Sequence, residues 1–159
     1  MSAMALQRVE FHTGLDDPIG YACRLLRKAA LQGVRVAALG PADAIEALDR
    51  ALWTFDERDF VPHARADRAA AAVLKRSPVW LVAPDAAAAP AWRPTPEAPR
   101  VWVNLGIGLT EPVLAHCDRL IELLGLEPDA VQAGRARWRA YRGWGLDVVH
   151  HERAPGEGR

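Results

Sequence analysis

The sequence predicts an α/β domain built on a mixed, mostly parallel sheet, and three observations lead there. Short apolar runs of strand type alternate with amphipathic stretches of helical period. The first four elements follow the order strand, helix, strand, helix, and strands separated by helices of this length pair in parallel through right-handed crossovers. At 159 residues the chain fits one domain and can bury roughly two-thirds of the surface exposed by its unfolded form, so no disulfide or metal is needed for stability.

Arg8–His12 (RVEFH) alternates apolar and polar residues and reads as a first strand, with Gly14 and Asp16-Asp17-Pro18 supplying turn and helix-start chemistry. From Ile19 to Gln32 the apolar positions Ile19, Ala22, Cys23, Leu25, Leu26, Ala29 and Ala30 keep helical spacing, and Gly33 stops the helix. Val34–Leu39 is the second strand, Gly40-Pro41 a turn, and Ala42–Trp53 a second helix with Ala44, Ile45, Leu48 and Leu52 along one stripe. Phe55–His63 (FDERDFVPH) has neither period and reads as a loop with aromatic content; Ala64–Ser77 has room for a helical turn. Val79–Ala83 and Val101–Leu105 are apolar runs of the buried-strand type. Pro84–Pro99, with five prolines and a block of four alanines, is expected to be an exposed connection that adds nothing to the core, and its length allows the flanking strands to form a hairpin. Thr110-Glu111-Pro112 opens a short helix over Val113–Cys117, and Arg119–Leu124 is a strand candidate. Pro128-Asp129 starts a helix that runs to Gly143 or Gly145. Leu146–His150 is a last strand or a tail. The domain spans 1–153, with the Pro/Ala-rich loop at 84–99, and the polar end, 154–159, is expected to be disordered.

Twenty basic residues balance twenty acidic ones, which argues against a surface coated in positive charge for nonspecific nucleic-acid binding. Any electrostatic function must be local. Cys23 and Cys117 lie far apart in apolar surroundings and read as buried thiols of a cytosolic protein. No run of about 18 apolar residues could cross a membrane, and the first 15 residues lack the pattern of a signal peptide, so a cytoplasmic location is expected.

A strand–loop–helix beginning raises the possibility of nucleotide binding, but the phosphate cradle is missing. The first loop, His12–Asp17, has one glycine and two carboxylates, and neither G-x-G-x-x-G nor G-x-x-x-x-G-K-[ST] occurs. Gly106-Ile107-Gly108 is only a fragment of such a loop. His150 and His151 are adjacent, so on a strand they point to opposite faces, and neither there nor on a helix are they suited to holding one ion; a solvated tail is the simpler reading. No serine sits in a nucleophile elbow, and Asp56, Glu57 and Asp59 form a charge run of solvated type. No catalytic residues, no cofactor and no metal ligands are expected.

Positive charge and aromatic surface concentrate in Gly134–Gly145 (GRARWRAYRGWG). On a helix Arg135, Trp138, Arg139 and Arg142 fall at i, i+3, i+4 and i+7 and share one face, where like charges repel by a few tenths of a kcal/mol per pair. Three readings are open. The stretch is a plain surface helix with Trp138 and Tyr141 buried on the sheet, a nucleic-acid surface, or a peptide site in which arginines ring a small apolar pocket. The third suits an acidic peptide ending in a hydrophobic residue and a free carboxylate.

Leu48-Asp49-Arg50-Ala51-Leu52-Trp53, Asp59-Phe60-Val61-Pro62-His63 and Arg135-Ala136-Arg137-Trp138-Arg139-Ala140-Tyr141-Arg142, in this order and spacing, resemble the chi subunit family of bacterial DNA polymerase III holoenzyme. The likeness spans about residues 8 to 150. It implies a three-layer nucleotide-binding-like (Rossmann-like) fold without the cofactor loop, and a noncatalytic adaptor that serves as an accessory subunit of a DNA-directed DNA polymerase. One surface would bind the acidic C-terminal tail of single-stranded-DNA-binding protein through Leu124, Arg135, Trp138 and Arg139, with Arg142 one turn further on. Trp138 stands where the family can carry Tyr, and Arg139 where it can carry Lys. A second surface, expected around Trp53, Phe60, Val61 and Pro62, would bind the psi subunit, which joins chi to the clamp loader, or a helicase of the iron–sulfur type. DNA would be reached only through a partner. From the residues alone, Trp53 and Phe60 either cap the core or anchor that partner. A nucleotide-dependent enzyme and a direct single-strand binder are the rival classes. The chain departs from the family in Pro84–Pro99 and in its polar tail.

Overall fold

The computed structural model describes residues 6–54, 60–84 and 94–153. The acidic run Asp56, Glu57 and Asp59, most of the Pro84–Pro99 loop and the 154–159 tail lie outside them. The described elements are β1 (Arg8–Leu15), α1 (Pro18–Leu31), β2 (Val36–Leu39), α2 (Ala42–Thr54), β3 (His63–Arg65), α3 (Ala71–Arg76), β4 (Val79–Val82), β5 (Val101–Asn104), a 3-10 helix (Pro112–His116), β6 (Arg119–Gly125), α4 (Pro128–Gly143) and β7 (Asp147–Glu152).

These strands form one seven-stranded sheet in the order β3-β4-β2-β5-β6-β1-β7, and all its pairings are parallel. The hairpin that the connection's length allowed between Val79–Ala83 and Val101–Leu105 does not form. Both strands pair with β2, on opposite sides of it: Val36 faces Val79 on one flank and Val101 on the other. The long connection between them carries the chain across β2, as a parallel crossover requires. With that hairpin gone, the sheet is wholly parallel where a mixed one was expected.

Helices on both faces make three layers. On one face α1 and α2 bury Ala22, Leu26, Ile45, Leu48 and Leu52 against Val36, Ala38, Leu81 and Val103. On the other, Tyr141 of α4 and Leu114 pack with Phe11, Leu39, Trp102 and Leu120. β2 and β4 are buried throughout, as their unbroken apolar sequences require.

Three further readings are corrected. β3 joins the end of the stretch read as a loop, His63, to the start of the one given room for a helical turn, Ala64 and Arg65, because three residues cannot display a period. The end of the Pro-rich segment does reach the core: Ala98 and Pro99 are buried, and the Trp102 indole N–H donates to the Pro99 carbonyl at 2.8 Å. His150 and His151 belong to an edge strand rather than a tail, since β7 runs in register with β1 from Arg8↔Asp147 to Thr13↔Glu152. Cys23 and Cys117 are buried free thiols, and burial pushes the Cys23 thiol up to about 11.

Candidate functional site: an arginine-rimmed cavity

α4 begins at Pro128, whose fixed φ suits a first helical position, and crosses β6 at Gly134. A β-carbon on Gly134 would overlap the Leu124 side chain. The glycine thus lets the helix backbone approach β6 closely and leaves a cavity of about 510 Å³ between α4, β1, β6 and β7. Phe11, Leu124, Val131 and Trp138 give it apolar walls, and Arg135 and Arg139 line it from α4. Leu126, 63 % exposed, adds an apolar residue at the rim.

Trp138 is held from two sides. Its ring lies 5.1 Å from that of Phe11 and 5.9 Å from that of His150, which meets it edge-on at 86°. His150 is itself bonded to the Thr13 hydroxyl. The indole is therefore fixed as a wall of the cavity, partly buried, while Tyr141 one turn on is wholly buried. Leu124, Arg135, Trp138 and Arg139 all line this cavity. Arg142 is exposed but does not line the cavity; it stands in the last turn, where positive charge complements the helix dipole. Phe11, Thr13, His150 and Glu152 are wall residues that sequence reading missed. The signal was available in part: alternation along β1 puts Val9, Phe11 and Thr13 on one face.

The fourth arginine of the cluster, Arg137, points elsewhere. Its Nε–H donates at 3.0 Å to Glu122, a carboxylate wholly buried in β6. Glu122 also accepts from Asn104 Nδ2 at 2.9 Å and from the Tyr141 hydroxyl. Burial pushes the Glu122 carboxyl above its ordinary value, against the pull of Arg137 and of these bonds. Arg137 is thus committed to the interior. Among the described residues Arg135, Arg139 and Arg142 have no carboxylate partner.

The positions where this kind of fold cradles a phosphate are filled by the chain's own groups. Asp17 caps α1, accepting from the Gly20 amide at 3.0 Å. The amides of Gly106 and Ile107 both donate to Asn104 Oδ1, at 3.0 and 2.9 Å, so the G-x-G turn closes on itself. A carboxylate at one helix start and occupied amides at the other turn offer an anion little.

At the far end of the sheet, Trp53 and Phe60 are 63 % and 48 % exposed and stack with ring centres 5.0 Å apart. Pro62 is exposed beside them. Val61 is not on that surface: it is buried in the core with Leu48 and Leu52 and anchors the patch from below. His63 supports it too. Its Nε2 bonds Asp49 at 2.9 Å, its Nδ1 bonds the Val61 carbonyl at 2.7 Å, and its ring meets both Trp53 and Phe60. The Asp49 and His63 of the two sequence motifs are therefore partners, and they present the aromatic pair to solvent.

A comparison with curated proteins finds no match. No helix among the described residues is long and apolar enough to cross a membrane. The family model described as DNA polymerase III chi subunit, HolC, matches residues 6–149, a span that holds the aromatic patch and all of the cavity wall but His150 and Glu152. The chain belongs to the DNA polymerase III chi subunit family, whose members are accessory subunits of that polymerase.

Proposed function

We propose that the chain is a noncatalytic adaptor whose α4 cavity binds the acidic C-terminal tail of single-stranded-DNA-binding protein. The observation that carries the reading is the pairing of an apolar cavity with guanidinium groups that form no ion pair with a carboxylate among the described residues, although Glu152 also lines the cavity. A peptide ending in an aromatic residue would bury its ring against Trp138 and Leu124 and offer its terminal carboxylate to Arg135 and Arg139. Each charge-assisted bond shielded from water is worth about 1.5–3 kcal/mol. Arg142 adds to the local positive field that attracts an acidic chain.

The exposed Trp53–Phe60 pair supports a second docking surface, formed with Pro62, for the psi subunit or an iron–sulfur helicase. Stacked, solvent-exposed aromatics of this kind make binding hot spots.

The test is a titration of an acidic peptide ending in Pro-Phe into the wild type, Arg135→Ala and Trp138→Ala, at low and moderate salt. Each substitution is expected to weaken binding tenfold or more, a loss of about 1.4 kcal/mol or more. Unchanged affinity in both variants would remove the site. Phe60→Ala should lose co-purification with the second partner while peptide binding persists.

A further inference from the structure

The sheet face opposite the arginine-rimmed cavity gathers three metal-ligating side chains. Glu10 and His12 stand two residues apart on β1, on the face that packs against α1, and His151 sits opposite His12 on β7. The two imidazoles meet edge-on with centres 5.3 Å apart. One ligand atom from each of Glu10, His12 and His151 can be chosen so that all lie within 4.8 Å of one another. We propose that Glu10, His12 and His151 form a binding site for a divalent transition-metal ion of the zinc type, which ties the edge strand β7 to β1.

The spacing of the ligand atoms leaves room for an ion. His12 Nε2 is 3.6 Å from Glu10 Oε2, too long for a hydrogen bond. It is close to the separation of two ligands at about 2.0–2.1 Å around a tetrahedral ion, about 3.4 Å. The other ring nitrogen, Nδ1, is bonded to the Tyr21 hydroxyl, the outer contact that orients a ligating imidazole. His12 is itself buried.

Two cations oppose the ion. Arg119 Nη2 donates to both Glu10 oxygens, at 3.3 and 3.2 Å, and Arg153 lies 5.6 Å from the Tyr21 ring centre. Two imidazoles and one carboxylate still select zinc, nickel or copper over magnesium or calcium. His151 is exposed, which leaves a coordination position open to water. The neighbouring His150 faces the cavity on the other side, so an ion held by His151 would steady the strand that supplies part of the cavity wall.

Protein purified without an affinity tag and stripped with a chelator would be titrated with zinc by calorimetry, and with cobalt by visible absorption. The expected result is one equivalent bound, a cobalt spectrum of tetrahedral type and a rise in unfolding temperature with excess zinc. His151→Ala, an exposed position, and Glu10→Gln should each weaken binding at least tenfold. Tyr21→Phe should weaken it less, and the exposed His116→Ala should leave it unchanged. No zinc binding by the wild type, or equal binding by His151→Ala, would overturn the proposal. So would a loss in His151→Ala with none in Glu10→Gln, because the two imidazoles would then be holding the ion without the carboxylate.

Discussion

Arg135, Arg137 and Arg139 lie within five residues of one another, and the turn of the helix alone separates their uses. Arg137 meets the buried Glu122, and the other two meet the cavity. Removing one partner of a buried ion pair leaves a charge without compensation, so Arg137→Ala should lower stability by about 3 kcal/mol in urea unfolding. The effect should depend on pH. A carboxyl whose folded pKa lies above its unfolded value stabilises the fold below the unfolded pKa, and that contribution is lost as pH rises through the folded value. Burial already shifts Glu122 in this direction, and loss of Arg137 shifts it further. The destabilisation should therefore be larger at pH 8 than at pH 5. Sequence reading missed this network because an acid in an apolar strand resembles a solvent-facing position, and its partners stand 15 to 19 residues away.

At the scale of elements, the close crossing of α4 on β6 makes the cavity, and Gly134 permits the crossing. Gly134→Ala gains about 1 kcal/mol of helix propensity but must displace Leu124 or lift α4, at about 1–3 kcal/mol. Little gain or a net loss in stability is expected, together with weaker peptide binding, because Leu124 is a cavity wall. Denaturant unfolding and the peptide titration measure the two effects separately. At the other edge, His63→Ala removes the bonds to Asp49 and Val61 and the ring beneath Trp53 and Phe60. It should cost about 1–3 kcal/mol and reduce capture of the second partner more than peptide binding. The helices were legible because their apolar stripes recur at 3.6 residues: α1, α2 and α4 begin and end within a residue or two of their expected bounds. β3 was not legible, being three residues long. The pairing of β4 and β5 was not legible either, since a long connection permits both a hairpin and a crossover, and only β2 lying between them decides.

For the whole molecule, the sheet order sets the two surfaces at opposite edges, the aromatic patch near β3 and the cavity between β1, β6 and β7. Six strand spacings of about 4.8 Å put the edges on the order of 25–30 Å apart, far enough for the two proposed partners to bind at once. Net charge is zero, and single-stranded DNA alone should bind weakly, without the steep salt slope of a protein that neutralises many phosphates. Nucleotides should not raise the unfolding temperature, given the carboxylate cap on α1 and the self-closed Gly106 turn. The arginine–tryptophan half of the cavity was legible because it lies on one helix with a simple period. The Phe11, Thr13 and His150 half was not, because it depends on which strands become neighbours. The central claim is that Arg135 and Arg139 hold a terminal carboxylate, and a double-mutant cycle tests it most directly. The acidic peptide is prepared with a free and with an amidated C-terminus, and each is titrated into the wild type, Arg135→Ala and Arg139→Ala. The expected result is that amidation weakens wild-type binding tenfold or more and weakens binding to the variants much less. An equal loss in all three proteins would contradict the claim.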